Sequence, residues 1–374
     1  MSSIRWVYRI LLVLVLSSSI GWAKKGKGHR KKTPSLKQQF HYSFSDIQDY
    51  LVVVEHRKAV GSGFIVKMGD RYYILTNQHV IMGADTIRFK TISGKILQPK
   101  MIELAEERDI ARLFIESDAG FEISDHPKVD APIAVFGNSD GAGVATELFG
   151  KIKKVTDDLV EVSAEFVSGN SGSPVLDKNK KVIAIASYVR FLDQKKSKKG
   201  KKQKLVVQRF CYRLTGTKWR HVDWKKYNKK YGKAYLKNEK LIDNIFEIAQ
   251  LWYLKPFGTF PSKEYTSLDL KKWAKNHNQM VNRVNRIMKK GAITQHELDN
   301  TNKQIRKDLM DSVEAFSDVC KSHARKMRFF SNQKELTGFL RKSFLRLAVR
   351  LEMTSKNLDE FKQSLTKFNF FRFR

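Results

Sequence analysis

Three short segments hold side chains able to attack a carbonyl carbon. They are Thr76-Asn77-Gln78-His79-Val80, Glu107-Arg108-Asp109-Ile110-Ala111-Arg112-Leu113 and Ser168-Gly169-Asn170-Ser171-Gly172-Ser173-Pro174. A serine hydroxyl is a weak nucleophile until a base takes its proton. An imidazole base in turn needs a carboxylate to fix its tautomer and stabilise its cation. Ser171, His79 and Asp109 supply one of each, in the chain order His, Asp, Ser of one known triad arrangement. Gly169 and Gly172 let the backbone turn sharply, so that the amides of Gly169 and Ser171 can converge on one point. Such an oxyanion hole is worth ~2.7–4 kcal/mol per donor in the transition state. Each string has a plainer reading by itself: a core or surface His, a loop Asp, a Gly-Asn-Ser-Gly turn. Their joint occurrence, in order, is what points to nucleophilic catalysis.

Other chemistries find less support. His56, His79, His126 and His221 have no partner at zinc spacing, so no metal site is expected. No phosphate-cradling glycine loop appears, and the triad chemistry requires no cofactor.

The segments lie among strand-like runs. Leu51-Val-Val-Val, Gly63-Phe-Ile-Val, Tyr72-Tyr-Ile-Leu and Ile87-Arg-Phe-Lys are short and rich in β-branched or aromatic residues. Leu159–Phe166 alternates, with Val160, Val162, Ala164 and Phe166 on one face. From about residue 45 to 215 the pattern is that of an antiparallel all-β barrel or sandwich. Seven lysines between Lys195 and Lys204 separate the apolar runs Val182–Val189 and Leu205–Leu214, as a solvated hairpin loop would.

Beyond about 224 the period becomes helical. One helix is expected on Leu268, Leu270, Trp273, Val281, Val284 and Ile287, ending at Gly291. A second starts at a Thr294/Glu297 capping box and runs through Leu298, Ile305, Leu309, Val313, Phe316 and Cys320. A third uses Leu336, Phe339, Leu340, Phe344, Leu347 and Leu351, and a last one covers roughly 357–368. Together they suggest a small antiparallel bundle.

The chain has 374 residues and a formal charge of +33. Residues 45–193 hold 18 Lys/Arg against 22 Asp/Glu, so the whole excess lies elsewhere. That excess implies attraction to anionic partners. The start of the chain places Arg5 and Arg9 before the apolar run Ile10–Leu16 and small residues ending at Ala23, the order of a secretory signal peptide. The expected organisation is a signal peptide (1–23), a basic linker (24–44), a peptidase-like β domain (45–223) and a basic α-helical C-terminal domain (224–374). Export would place the chain in the periplasm or outside the cell. Cys211 and Cys320 could then pair, or remain buried thiols.

The three motifs resemble those of the chymotrypsin-like (trypsin-fold) serine peptidases, best of all the bacterial HtrA/Deg-type and glutamyl-endopeptidase-type branches. Gly61-Ser62-Gly63-Phe64 and Phe136-Gly137-Asn138 add to the resemblance, which covers about residues 45–215. It implies an all-β double Greek-key barrel followed by a mostly helical region, with His79 as general base, Asp109 orienting it and Ser171 as nucleophile. It implies protein or peptide substrates. It also places Ser187-Tyr188-Val189 on the strand that pairs with the substrate backbone, and Glu165 where trypsin has its pocket carboxylate. Val189 favours small P1 side chains and Glu165 basic ones; small or aliphatic residues rank first. Asn170 stands where digestive trypsins have the Asp that pairs with a new N-terminus, so that zymogen switch is not expected. No PDZ module is recognisable.

Two questions stay open at this level. A non-catalytic envelope-binding protein could use the same barrel as a scaffold. The basic excess could serve an anionic envelope polymer or a membrane surface. Aromatic residues among lysines at Trp219–Lys240 could also stack on nucleic-acid bases, although packing of those rings and predicted export make nucleic acid the unlikely partner.

Overall fold

The computed structural model describes residues 35–366, apart from 57–58, 139–145, 194–204, 256, 266 and 290–293. The expected signal peptide, most of the basic linker, the lysine loop and Gly291 lie outside the described residues.

Two compact units divide the chain. One comprises residues 32–236 together with 334–341; the other holds 237–333 and 342–374. In the first unit, β1 (Leu51–His56), β2 (Ala59–Met68), β3 (Arg71–Thr76), β4 (Arg88–Thr91), β5 (Ile96–Leu97), β6 (Met101–Ala105), β7 (Ala111–Ile115) and β14 (Trp219–His221) form one antiparallel sheet. Its order is β14-β6-β7-β3-β2-β1-β4-β5. A second sheet closes into a barrel from β8 (Pro132–Gly137), β9 (Thr146–Val155), β10 (Leu159–Val162), β11 (Pro174–Leu176), β12 (Val182–Asp193) and β13 (Leu205–Tyr212), in the order β10-β13-β12-β11-β8-β9. The all-β expectation holds, with one difference: the first sheet is an open eight-stranded array, ending in strands of three and two residues. Such short ends limit edge pairing.

Alternation explains the packing. Phe64, Val66, Leu75, Ile110, Phe121, Phe136, Leu176 and Ile185 meet in one core; Ile133, Val160, Val162, Ala164, Phe166, Val175 and Ala186 meet in another. The strand expected through Phe166 stops at Val162, yet Ala164 and Phe166 stay buried on the same face. Strands β12 and β13 pair as far as Asp193 with Leu205, the hairpin expected around the lysine run.

A short helix α1 (Gln78–Ile81) follows β3, and α2 (Trp224–Tyr227) runs through a π-turn at Asn228–Gly232 into α3 (Lys233–Leu254). The second unit is helical: most of α3, then α4 (Leu268–Met288), α5 (Gln295–Ser331) and α6 (Gly338–Leu365) beyond its first turn. The Thr294 capping box is present, with the Glu297 amide donating to Thr294 Oγ1 and the Thr294 amide to Glu297 Oε2 (3.3 and 2.9 Å). Two helical expectations change. The third and last helices are one continuous helix, α6, because no Pro or Gly interrupts it between 339 and 365. Leu268 is 81% exposed, since as the first helical residue it lies beyond the buried stripe.

Cys211 and Cys320 are buried free thiols. Tyr227, Tyr231 and Tyr235 are buried as well, and Arg112 stacks on Trp219 at 4.4 Å.

Candidate active site

Strand β3 is buried from Tyr73 to Thr76 and delivers the chain into α1, whose second residue is His79. Asp109 sits between β6 and β7, on a loop that Asn77 holds from across the sheet: Asn77 Nδ2 donates to the Asp109 carbonyl at 2.6 Å. The Asp109 carboxylate, almost fully buried, accepts three bonds. His79 Nδ1 donates to Oδ2 at 2.5 Å, the His79 amide to Oδ1 at 3.1 Å, and Ser187 Oγ to Oδ2 at 3.1 Å. Burial alone would raise its pKa. The charge of His79 and these bonds outweigh burial and hold it below the ordinary carboxylate value. A carboxylate can only accept, so it fixes the tautomer of His79 with the proton on Nδ1.

Ser171 joins this group through Ser187. Ser171 Oγ donates to the Ser187 carbonyl at 3.4 Å, while the hydroxyl of Ser187 reaches Asp109. A register shift between Ala186 and Tyr188 makes this possible. The bulge leaves Ser187 out of regular pairing and re-aims its polar groups.

The Ser171 turn is wedged against β2. The Ser62 amide donates to the Ser171 carbonyl (2.9 Å), Ser62 Oγ to the Gly169 carbonyl (2.8 Å), and Thr76 Oγ1 to the Ser62 carbonyl (2.7 Å). Gly172 (φ +89°) has no room for a side chain: a Cβ there would strike the Ser62 carbonyl oxygen. Gly169 also has positive φ (+87°). Asn170 Oδ1 accepts from the Val167 amide at 3.0 Å, so this residue braces the turn.

The specificity residues are placed differently. Tyr188 stacks on Phe210 (5.2 Å between centroids), and Val189 is half-buried against the barrel core. Glu165 is exposed between buried Ala164 and Phe166. No contact among the described residues brings Glu165 to Ser171.

Several residues at the site carry no motif label of their own. Gln78 is fully buried, and its Nε2 donates to the carbonyls of Ala105 (2.7 Å) and Arg108 (2.8 Å), on the chain leading into Asp109. Arg108 donates to the carbonyls of Arg213 and Thr215 and pairs with Asp158 at 2.7 Å. This pins the Asp109 loop to the segment after β13. The one sequence signal was a polar pair, Asn77-Gln78, between apolar Leu75 and Val80. A segment far away in sequence also reaches the loop: the Phe339 amide donates to the Glu106 carbonyl at 2.7 Å, and Thr337 Oγ1 to Gln78 Oε1 at 3.3 Å.

Comparison with known proteins bears on the same part of the chain. Residues 61–185 match the family model described as a trypsin-like peptidase domain. Curated relatives include a probable periplasmic serine endoprotease DegP-like from Halomonas elongata, 28% identical over 146 residues (36% of this chain, 30% of that protein). Another, of the same description, from a Marinomonas species is 30% identical over 155 residues (36% and 30%). A solved serine endoprotease from Yersinia pestis is 25% identical over 42% of this chain and 58% of that one, with a TM-score of 0.34. The chain spans about a third of the length of the curated relatives it matches.

Proposed function

We propose that the protein is an exported serine endopeptidase acting through His79, Asp109 and Ser171. His79 takes the proton of Ser171 Oγ as that oxygen attacks the peptide carbonyl, then gives it to the leaving amine. Water, activated by the same imidazole, releases the acyl group. Asp109 keeps His79 in the tautomer whose Nε2 lone pair is the base. The amides of Gly169 and Ser171 receive the developing oxyanion. The observation that carries this reading is the single bonded set formed by Asp109, His79, Ser187 and Ser171.

In this reading the open eight-stranded sheet and the closed six-stranded barrel stand for the two halves of the double Greek-key plan. Substrate pairs with the backbone at Ser187–Val189, and small or aliphatic P1 residues are preferred. A periplasmic location agrees with the names of the relatives and with the predicted signal peptide. The cationic excess favours an anionic envelope partner.

The test is peptide-bond hydrolysis by the intact chain and by Ser171→Ala. The reading expects the substitution to abolish turnover; hydrolysis that persists unchanged removes Ser171 as nucleophile. A peptide library that returns strict Arg/Lys cleavage overturns the P1 preference alone.

A further inference from the structure

Helix α6 turns an unusual face to solvent. Leu345, Val349 and Met353 are 41%, 40% and 59% exposed and fall at i, i+4 and i+8, one stripe of the helix. Arg346, Arg350 and Lys356 are exposed along the same side. The only carboxylate between 338 and 358 is Glu352, and it is neutralised by Arg328 of α5 through two bonds of 2.6 and 2.7 Å. That pair fixes the end of α5 beside the stripe, where Phe329 is 65% exposed and Arg325 adds charge. Among the described residues no helix is long and apolar enough to cross a membrane.

We propose that this face of the α5–α6 hairpin docks on the surface of an anionic lipid bilayer. Cations are drawn to the headgroups, and the aliphatic side chains enter the headgroup–acyl boundary. Charge complementarity selects an anionic partner. The interleaved aliphatic stripe selects lipid over a soluble polyanion, which gives four apolar side chains nothing to enter. The proposal rests on the anionic-partner reading above but not on the peptidase, so the test needs no turnover.

The test is co-flotation of the full chain with phosphatidylglycerol/phosphatidylcholine vesicles, compared with pure phosphatidylcholine. The expected result is binding to the anionic vesicles only, reduced on the order of tenfold by Val349→Ser/Met353→Ser and again by Arg346→Gln/Lys356→Gln. Circular dichroism checks the fold of each variant. No flotation, equal binding to neutral vesicles, or binding that ignores the Val349/Met353 substitutions and is fully displaced by polyphosphate overturns the proposal.

A second inference stands on different contacts. Thr337 and Gln78 are both fully buried. Thr337 Oγ1 donates to Gln78 Oε1, and Gln78 Nε2 donates to the carbonyls of Ala105 and Arg108, the end of β6 and the residue that leads into Asp109. Phe339 bonds the Glu106 carbonyl, Arg220 donates to the carbonyls of Lys334 and Glu335, and Tyr227 Oη accepts from the Thr337 amide. Asn228 holds the far end of α1, accepting from the Gly83 amide at 2.7 Å and donating to the Ala84 carbonyl at 2.6 Å.

The geometry assigns Thr337 as a positioning residue that acts on His79 and Asp109 through Gln78. This rests on the peptidase reading. The measurement is the pH-rate profile of Ser171 labelling by a fluorophosphonate. Thr337→Val should slow labelling on the order of tenfold and move the acid limb to lower pH, because a loosened Asp109 holds less proton on His79. Thr337→Ser should restore both. Should Thr337→Val fail to fold, Arg220→Ala takes its place with the same expectations. Unchanged labelling, or slower labelling with no shift of the limb, overturns the assignment. A wild-type chain that does not label at all refutes the peptidase reading instead.

Discussion

In the barrel unit most of the buried polar side chains gather in one neighbourhood: Ser62, Thr76, Asn77, Gln78, Asp109, Asn170 and Ser187 contact one another or the turns that carry His79 and Ser171. In the helical unit they form separate stitches. Ser317 meets Ser355 at 2.8 Å, His277 meets Ser312 at 3.0 Å, and Ser267 meets His323 at 3.1 Å. Burying a polar group is costly unless it is bonded. Stitches satisfy that requirement pair by pair and specify how helices meet. A network that converges on one carboxylate does more, because it sets a charge and a tautomer at a single point.

The comparison is sharpest at Asp109. Asp109→Asn keeps the shape but lets the wrong His79 tautomer form, and is expected to lower kcat by about ten-thousandfold with little change in KM; steady-state kinetics on a peptide ester checks it. A loss of less than tenfold would put Asp109 among the stitches. Next comes the wedge. Gly172→Ala forces a Cβ into the Ser62 carbonyl at positive φ and should destabilise the barrel unit by about 1–3 kcal/mol or more, read as a lower midpoint in urea. An unchanged midpoint would mean that the turn can relax.

The helical unit has a pH dependence at a higher pH than the barrel unit. Burial pushes His277 down to about 4, against an ordinary value of 6.5. The unfolded chain therefore binds the proton first. The stabilisation is fully present above about pH 6.5 and lost as pH falls toward 4, by up to about 3 kcal/mol. Urea midpoints followed from pH 7 to 4 should decline, and His277→Phe should flatten that decline. Asp109 has the same sign in a more acid window: its lowered value contributes stability that is present above the ordinary carboxylate range and is lost only as pH falls further. The smallest effect concerns the thiols. Burial raises Cys211 and pushes Cys320 up to about 12, so neither should react with a thiol reagent at pH 8 until the chain unfolds.

Much of this was legible in the chain itself. The motif residues, the strand runs and the Thr294 capping box rest on local spacing, and local spacing survives folding. What escaped was non-local. Nothing near Ser187 announces that a one-residue bulge will send its hydroxyl to Asp109 and its carbonyl to Ser171. Leu336 and Phe339 read as one helical stripe, yet Leu336 precedes α6, and residues 334–341, the first turn of α6 included, belong to the barrel unit, held by backbone carbonyls that no sequence pattern encodes. Glu165 lies exposed between two buried neighbours, a direction set by the alternation of its own run and not by its offset from Ser171.

The most direct measurement is fluorophosphonate labelling of the intact chain, with the modified residue mapped by mass spectrometry, beside His79→Ala. The account predicts one adduct, on Ser171, at a rate that rises as His79 loses its proton and collapses in the variant. Labelling of Ser171 at the same rate without His79, or no adduct on Ser171 in the folded wild-type chain, would contradict it.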